Sequence, residues 1–242
     1  MKKFWNFTAP KNEGEPRMLT IDGEIADESW FGDEVTPAEF RAELESGAGD
    51  IVVMINSPGG DVFAASQIYT MLTEYRGRVT VKVDGIAASA ASVIAMAGDT
   101  VLMSRPAMLM IHNPATLAWG DKSEMEKAIG LLDEVKESII NAYEKKTGMS
   151  RAKISHMMDA ETWMNASRAI ELGFADGYIE RVEPDDEEET EETVAFAFEK
   201  RRADTSLMEK VVAKAKTSAP APKRKTYTET LEDLANRMSK FN

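Results

Sequence analysis

The sequence of 242 residues contains no cysteine, which excludes disulfide frameworks, thiol nucleophiles and thiolate metal sites together and suits a reducing compartment. Histidine is nearly as scarce: His112 and His156 are the two imidazoles on which acid-base chemistry could rest. Aromatic residues make up 7% of the chain, and no apolar run approaches the ~20 residues that a membrane-spanning helix needs. The start, MKKFWNFTAPKNEG, has too short an apolar stretch for a signal peptide, so a cytoplasmic protein without a membrane role is expected. Positive charge is also in deficit. With 29 Lys and Arg against 42 Asp and Glu, the net charge of -13 has the wrong sign for binding nucleic acid through its phosphates. What is present is oxygen and imidazole chemistry on a chain of 43% apolar composition, enough for one substantial domain with appendages.

The appendages declare themselves by charge. Residues 183–192, EPDDEEETEE, hold eight acids that cannot share a buried surface, so a largely disordered tail is expected over 183–242. The tail turns basic in EKRR, becomes Pro/Ala-rich in TSAPAPKRK, and ends in YTETLEDLANRMSK. There Leu231, Leu234, Ala235 and Met238 recur at helical spacing, giving a short helix over 227–240. Residues 1–16 are read as an N-terminal arm.

Between 17 and 182 short β-branched runs alternate with amphipathic stretches, the rhythm of an α/β domain. IVVMI (51–55) reads as a buried strand, SPGG (57–60) as a turn, and Ala64, Ile68, Met71, Leu72 and Tyr75 as one face of a helix ending at Gly77. The unit repeats with strand VTVKV (79–83), small-residue turn GIAAS, helix SVIAMAG, and strands TVLMS and MLMIH. A long helix is expected over 121–147, followed by helices RAKISHMMD and SRAIELG around ETWMN, with YIERV (178–182) as a closing strand.

Acyl transfer requires a nucleophile, a base, a group that orients the base, and donors for an oxyanion. Ser89 stands where GIAAS passes from strand to helix, a position that exposes a hydroxyl and aims the following N–H at developing charge, although it equally suits a helix N-cap. His112 ends an apolar strand beside a loop, whereas His156 falls inside an amphipathic helix where surface use is expected. The paired glycines Gly59 and Gly60 let backbone N–H groups approach a ligand, and also suit an ordinary tight turn.

Together, INSPGGDVFAASQIYTML, DGIAASAASVIAMAG, MLMIHNP and ETWMNASRAIELGFADGYIE resemble, in order, the oxyanion, nucleophile, histidine and acid segments of the Clp protease proteolytic-subunit family, from about Leu19 to Val182. The resemblance implies a Clp/crotonase-like spiral of strand-turn-helix units with a protruding handle helix at 121–147. It further implies a serine endopeptidase over 17–182, with Ser89 as nucleophile, His112 as base, and Gly60 and Ala90 N–H as oxyanion donors supported by Gly59. Where the family usually has Asp, the alignment places Glu161, with Asp159 as the alternative acid. No cofactor or metal is implied. Protein or peptide substrates and ring-shaped homo-oligomers, usually heptameric, are.

The divergent start, the Glu at the acid position and the charged tail look most like the Clp-like head-maturation proteases of phages and prophages. These would act on capsid or scaffold proteins in the host cytoplasm. The alternative is a degradation subunit working with a Clp ATPase. From other classes, a crotonase-like acyl-CoA enzyme and a non-catalytic ring-forming assembly protein compete. A Ser-Lys enzyme like the signal-peptide peptidases would leave His112 unexplained.

Overall fold

In the computed structural model, which describes residues 3–10, 12, 14–26 and 37–180, the apolar runs join in one eight-stranded sheet. Strand β1 (Trp5–Thr8) lies antiparallel to β2 (Arg17–Asp22), and β2 runs parallel to β3 (Ile51–Ser57). The next strand, β4 (Val79–Ala88), is parallel to β3 and divides its other edge between two partners. Its first half pairs with β5 (Thr100–Met103) and its end, from Ile86, with β6 (Met108–Ile111). The antiparallel β7 (Thr162–Asn165) then covers β6, and β8 (Gly177–Tyr178) adds to β5.

Parallel neighbours need crossovers, and helices supply them. Helix α2 (Val62–Thr73) connects β3 to β4, and α3 (Ala90–Ala95) connects β4 to β5. Asp61 starts α2 by accepting from Ala64 N–H at 2.7 Å, and Ala64, Ile68, Met71 and Leu72 bury its inner face as their spacing predicts, but the helix stops at Thr73, short of the expected Tyr75 and Gly77. Ile51, Val53 and Ile55 of β3 and Val81 and Val83 of β4 have no exposed surface, while Val52, Met54, Thr80 and Lys82 between them are half-buried, so one face of the sheet carries the core.

The long helix α4 (Lys122–Thr147) keeps to its expected limits because Asp121 caps Glu124 N–H at 3.2 Å and Gly148 ends it at a left-handed φ of 65°. Its buried residues, Val135, Ile139, Ile140, Ala142 and Tyr143, all lie in the second half, while Ile129 and Leu131 are exposed. The first half is therefore a solvent-facing handle. Helices α5 (Arg151–Asp159) and α6 (Ala166–Glu171) flank β7.

Some expectations change. The GIAA stretch is not a turn: it continues β4 to Ala88, because Ala87 pairs with Ser57 on one side and Leu109 on the other, where small side chains allow close approach. The closing strand is limited to Gly177–Tyr178 among the described residues. Helix α1 (Pro37–Glu45), which the sequence did not announce, has its C-terminal carbonyls Glu43 O and Leu44 O bound by the Arg17 guanidinium at 2.7 and 2.8 Å. Residues 5–8 do not stand apart as an arm. Trp5 is buried, edge-on to Phe4 and Phe40 at 4.7 and 5.3 Å between ring centroids. The acidic run, the basic stretch and the helix expected at 227–240 lie outside the described residues.

Candidate active site

Ser89 is the residue at which β4 becomes α3. It occupies φ 54°, ψ -125°, a left-handed corner that an L-residue holds only when its surroundings enforce it. The enforcement starts with the sheet, where Ser89 N–H donates to Met110 O at 3.0 Å. Because β4 and β6 are parallel with Ala88 opposite Met110, both chains leave the sheet at the same end. Ser89 follows one strand and His112 the other. Their side chains meet, with His112 Nε2 2.7 Å from Ser89 Oγ.

The SPGG turn closes against this corner. Ser57 Oγ donates to Gly23 O at 2.6 Å and accepts from Gly59 N–H at 3.1 Å, fixing the turn from beneath. Gly59 has φ +100°, and a Cβ there would lie 2.7 Å from Ala88 O and 2.8 Å from Ser89 Cβ, so only glycine fits against the serine. Gly60 has still less room, since a Cβ would lie 2.0 Å from Ile25 O. Among the described residues no protein acceptor takes the N–H of Gly60 or Ala90. Both residues line the cleft that contains Ser89 and His112.

That cleft has a volume of about 390 Å³. Its walls are mainly apolar, from Val62, Val93, Leu132, Val135 and Ile139, with Tyr143 at its base. It can hold a large apolar side chain beside the Ser89 hydroxyl.

Of the two candidate acids Asp159 ends α5 and Glu161 lies in the turn before β7, and among the described residues neither hydrogen-bonds the imidazole. Glu161, exposed, adopts a left-handed φ of 46° and accepts from Trp163 Nε1 at 3.1 Å. Asp159 accepts from Asn113 Nδ2 at 2.9 Å and Lys136 Nζ at 2.5 Å. Those bonds, first Lys136 and then Asn113, hold its carboxyl below the ordinary carboxylate range. Asp159 thus secures the residue after the histidine and ties it to α4. His156 is exposed on α5.

Sequence reasoning missed four residues around this site. Asn113 and Lys136 hold Asp159, while Ser92 and Tyr143 meet behind Ser89 with their oxygens 2.8 Å apart. Ser92 carries one faint signal, since a serine three residues into a helix often returns its hydroxyl to the backbone. Tyr143 gave none, because its place in the apolar stripe of α4 already explained it.

Comparison with known proteins agrees with this arrangement of segments. The family described as Clp protease matches residues 15–182. The ATP-dependent Clp protease proteolytic subunit 1 of Chlamydia muridarum (strain MoPn / Nigg) is 33% identical over 141 residues, covering 57% of this chain and 73% of that protein. The subunits of the same name from Chlamydia trachomatis serovar D and Chlamydia abortus are each 31% identical over 141 residues, with the same coverage. The segments that carry Gly59, Gly60, Ser89 and His112 fall inside the matched region, and the chain belongs to the Clp protease family, a family of peptidases.

Proposed function

We propose that the protein is a serine endopeptidase in which Ser89 attacks a peptide carbonyl and His112 carries the proton. The observation that carries this reading is the 2.7 Å contact between Ser89 Oγ and His112 Nε2 at a strained strand-to-helix corner. His112 takes the hydroxyl proton as the C–O bond forms, and the N–H groups of Gly60 and Ala90 stabilise the oxyanion. The imidazolium returns the proton to the leaving amine. Water, deprotonated by the same imidazole, then releases the acyl group.

Glu161 is assigned to orient the imidazole. A left-handed glutamate is a costly conformation of the kind that collects at functional sites, and its carboxylate is occupied by a single indole N–H that it can exchange for the imidazole. Asp159, already engaged by Lys136 and Asn113, positions the loop instead. The apolar cleft favours substrates with a large apolar residue before the scissile bond. Exposed Leu117, Trp119, Ile129 and Leu131, on α4 and the loop before it, support ring assembly through the handle. The biological role proposed is maturation of phage or prophage capsid or scaffold proteins. It rests on the charged segment beyond the matched region and on Glu161 at the acid position. The relatives' name, proteolytic subunit of an ATP-dependent protease, supports the second reading, degradation alongside a Clp ATPase.

The test is cleavage of a fluorogenic peptide with leucine or methionine before the scissile bond, comparing wild type with Ser89→Ala. A loss of about 10³-fold or more is expected. Retained cleavage, or turnover of an acyl-CoA thioester indifferent to Ser89→Ala, would instead support a crotonase-like enzyme.

A further inference from the structure

Ser92 is fully buried one turn into α3, and its hydroxyl oxygen has two polar neighbours: Ser89 O at 2.6 Å and Tyr143 Oη at 2.8 Å. A serine hydroxyl has one proton, and a carbonyl can only accept. The Ser92 proton therefore goes to Ser89 O, and Tyr143 O–H must be the donor to Ser92 Oγ. Hydrogen bonds run one way, from Tyr143 to Ser92 to the nucleophile's own carbonyl. Ser92 N–H adds a second bond to that carbonyl at 3.0 Å. Tyr143 comes from α4, so the handle helix is joined to the nucleophile corner through this chain.

The carbonyl matters because of what shares its plane. In a trans peptide the C=O of Ser89 and the N–H of Ala90 are antiparallel, so holding the carbonyl toward α3 fixes the N–H on the opposite side. That N–H has no protein acceptor among the described residues, and Ala90 lines the cleft. Two donors on the carbonyl also polarise the peptide and strengthen the N–H as a donor.

We infer that Ser92 and Tyr143 are positioning residues for the oxyanion hole: the chain Tyr143 O–H to Ser92 O–H to Ser89 C=O sets the direction and strength of the Ala90 N–H. The inference rests on the serine-peptidase reading. Its consequence is that α4 affects the transition state through hydrogen bonds as well as through the apolar wall it contributes.

The experiment compares full-length wild type, Ser92→Ala, Tyr143→Phe and the double variant, measuring kcat and KM on the fluorogenic peptide and Ki for the matching peptide aldehyde. The bound aldehyde places its hemiacetal oxygen in the oxyanion hole, whereas KM reports ground-state contacts. Removing an oxyanion donor outright costs ~10²–10³-fold, so a donor that is only mis-aimed should cost about tenfold in Ser92→Ala and about fivefold in Tyr143→Phe. Aldehyde Ki should weaken by the same factors with KM unchanged, and the double variant should be no slower than Ser92→Ala. Tyr143→Phe keeps the ring and its edge-on contact with Phe174, 5.7 Å between centroids, so it remains informative if Ser92→Ala folds poorly. Folded variants with unchanged kcat and Ki, or a loss appearing only in KM, overturn the inference while leaving the peptidase reading intact. A wild type whose turnover does not depend on Ser89 overturns both.

Discussion

Gly59→Ala tests the site at its tightest point. The added Cβ would lie 2.8 Å from Ser89 Cβ and 3.0 Å from Ala90 N, where unbonded carbons prefer ~3.5–4.0 Å, so the two segments must part by about 0.7 Å or more. The turn cannot retreat, because Gly59 N–H is bound to Ser57 Oγ at 3.1 Å, Gly59 O accepts from Ile25 N–H at 2.8 Å, and Gly60 already abuts Ile25. The displacement falls on Ser89 and Ala90, separating the Gly60 and Ala90 N–H groups proposed to bind the oxyanion. Effective loss of one donor lowers kcat by ~10²–10³-fold. The φ of +100° adds backbone strain of about 1–3 kcal/mol, lowering the melting temperature by roughly 2–10 °C. Gly148→Ala is the control: φ is +65° and nothing lies within 4 Å of the added carbon, so stability should fall while peptide turnover does not. Steady-state kinetics with thermal unfolding on both variants decides the matter. A folded Gly59→Ala protein with kcat within about threefold of wild type would refute the packing argument.

Three further predictions follow from the surroundings of the site. Glu161→Gln should lower kcat by about 10²-fold or more and Asp159→Asn by less than about tenfold; the reverse order in peptide turnover would transfer the orienting role to Asp159. Asp159, whose carboxyl is held below its ordinary value by Lys136 and Asn113, stabilises the fold only while ionised. Its contribution is therefore complete above the ordinary carboxylate value and lost as pH falls through the depressed one. The melting-temperature gap between wild type and Asp159→Asn should close on acidification, and a gap independent of pH would contradict the assignment. Trp5→Ala should cost about 3–5 kcal/mol in denaturant unfolding, because the ring is buried against Phe4 and Phe40; a loss below about 1 kcal/mol would return residues 5–8 to the status of an arm.

Much of this arrangement was legible because local pattern and tertiary role coincide. Ile51, Val53 and Ile55 read as a buried strand and are one, and Asp121 and Gly148 mark the limits of α4 with ordinary capping chemistry. Ser89 and His112 stood out at strand ends, and it is the parallel pairing of β4 with β6 that brings their side chains together. Local pattern failed where partners decide. Ile86, Ala87 and Ala88 resemble turn residues, yet β6 holds them in a strand. The surroundings of Glu161 and Asp159 depend on Trp163, Lys136 and Asn113, drawn from separate elements, so motif spacing left the choice between them to resemblance. Ser92 and Tyr143 are 51 residues apart in sequence, and neither side chain indicates the other. Trp5 and Phe4 complete the core only because β1 adds to the sheet edge.

The central claim is that Ser89 is a nucleophile activated by His112. Treatment of the full-length protein with a fluorophosphonate probe, followed by peptide mass spectrometry, tests it most directly. The account predicts a single major adduct on Ser89 in wild type, none in Ser89→Ala, and strongly slowed labelling in His112→Ala. A folded wild type that is not labelled, or labelling of Ser89 that is indifferent to His112→Ala, would contradict it.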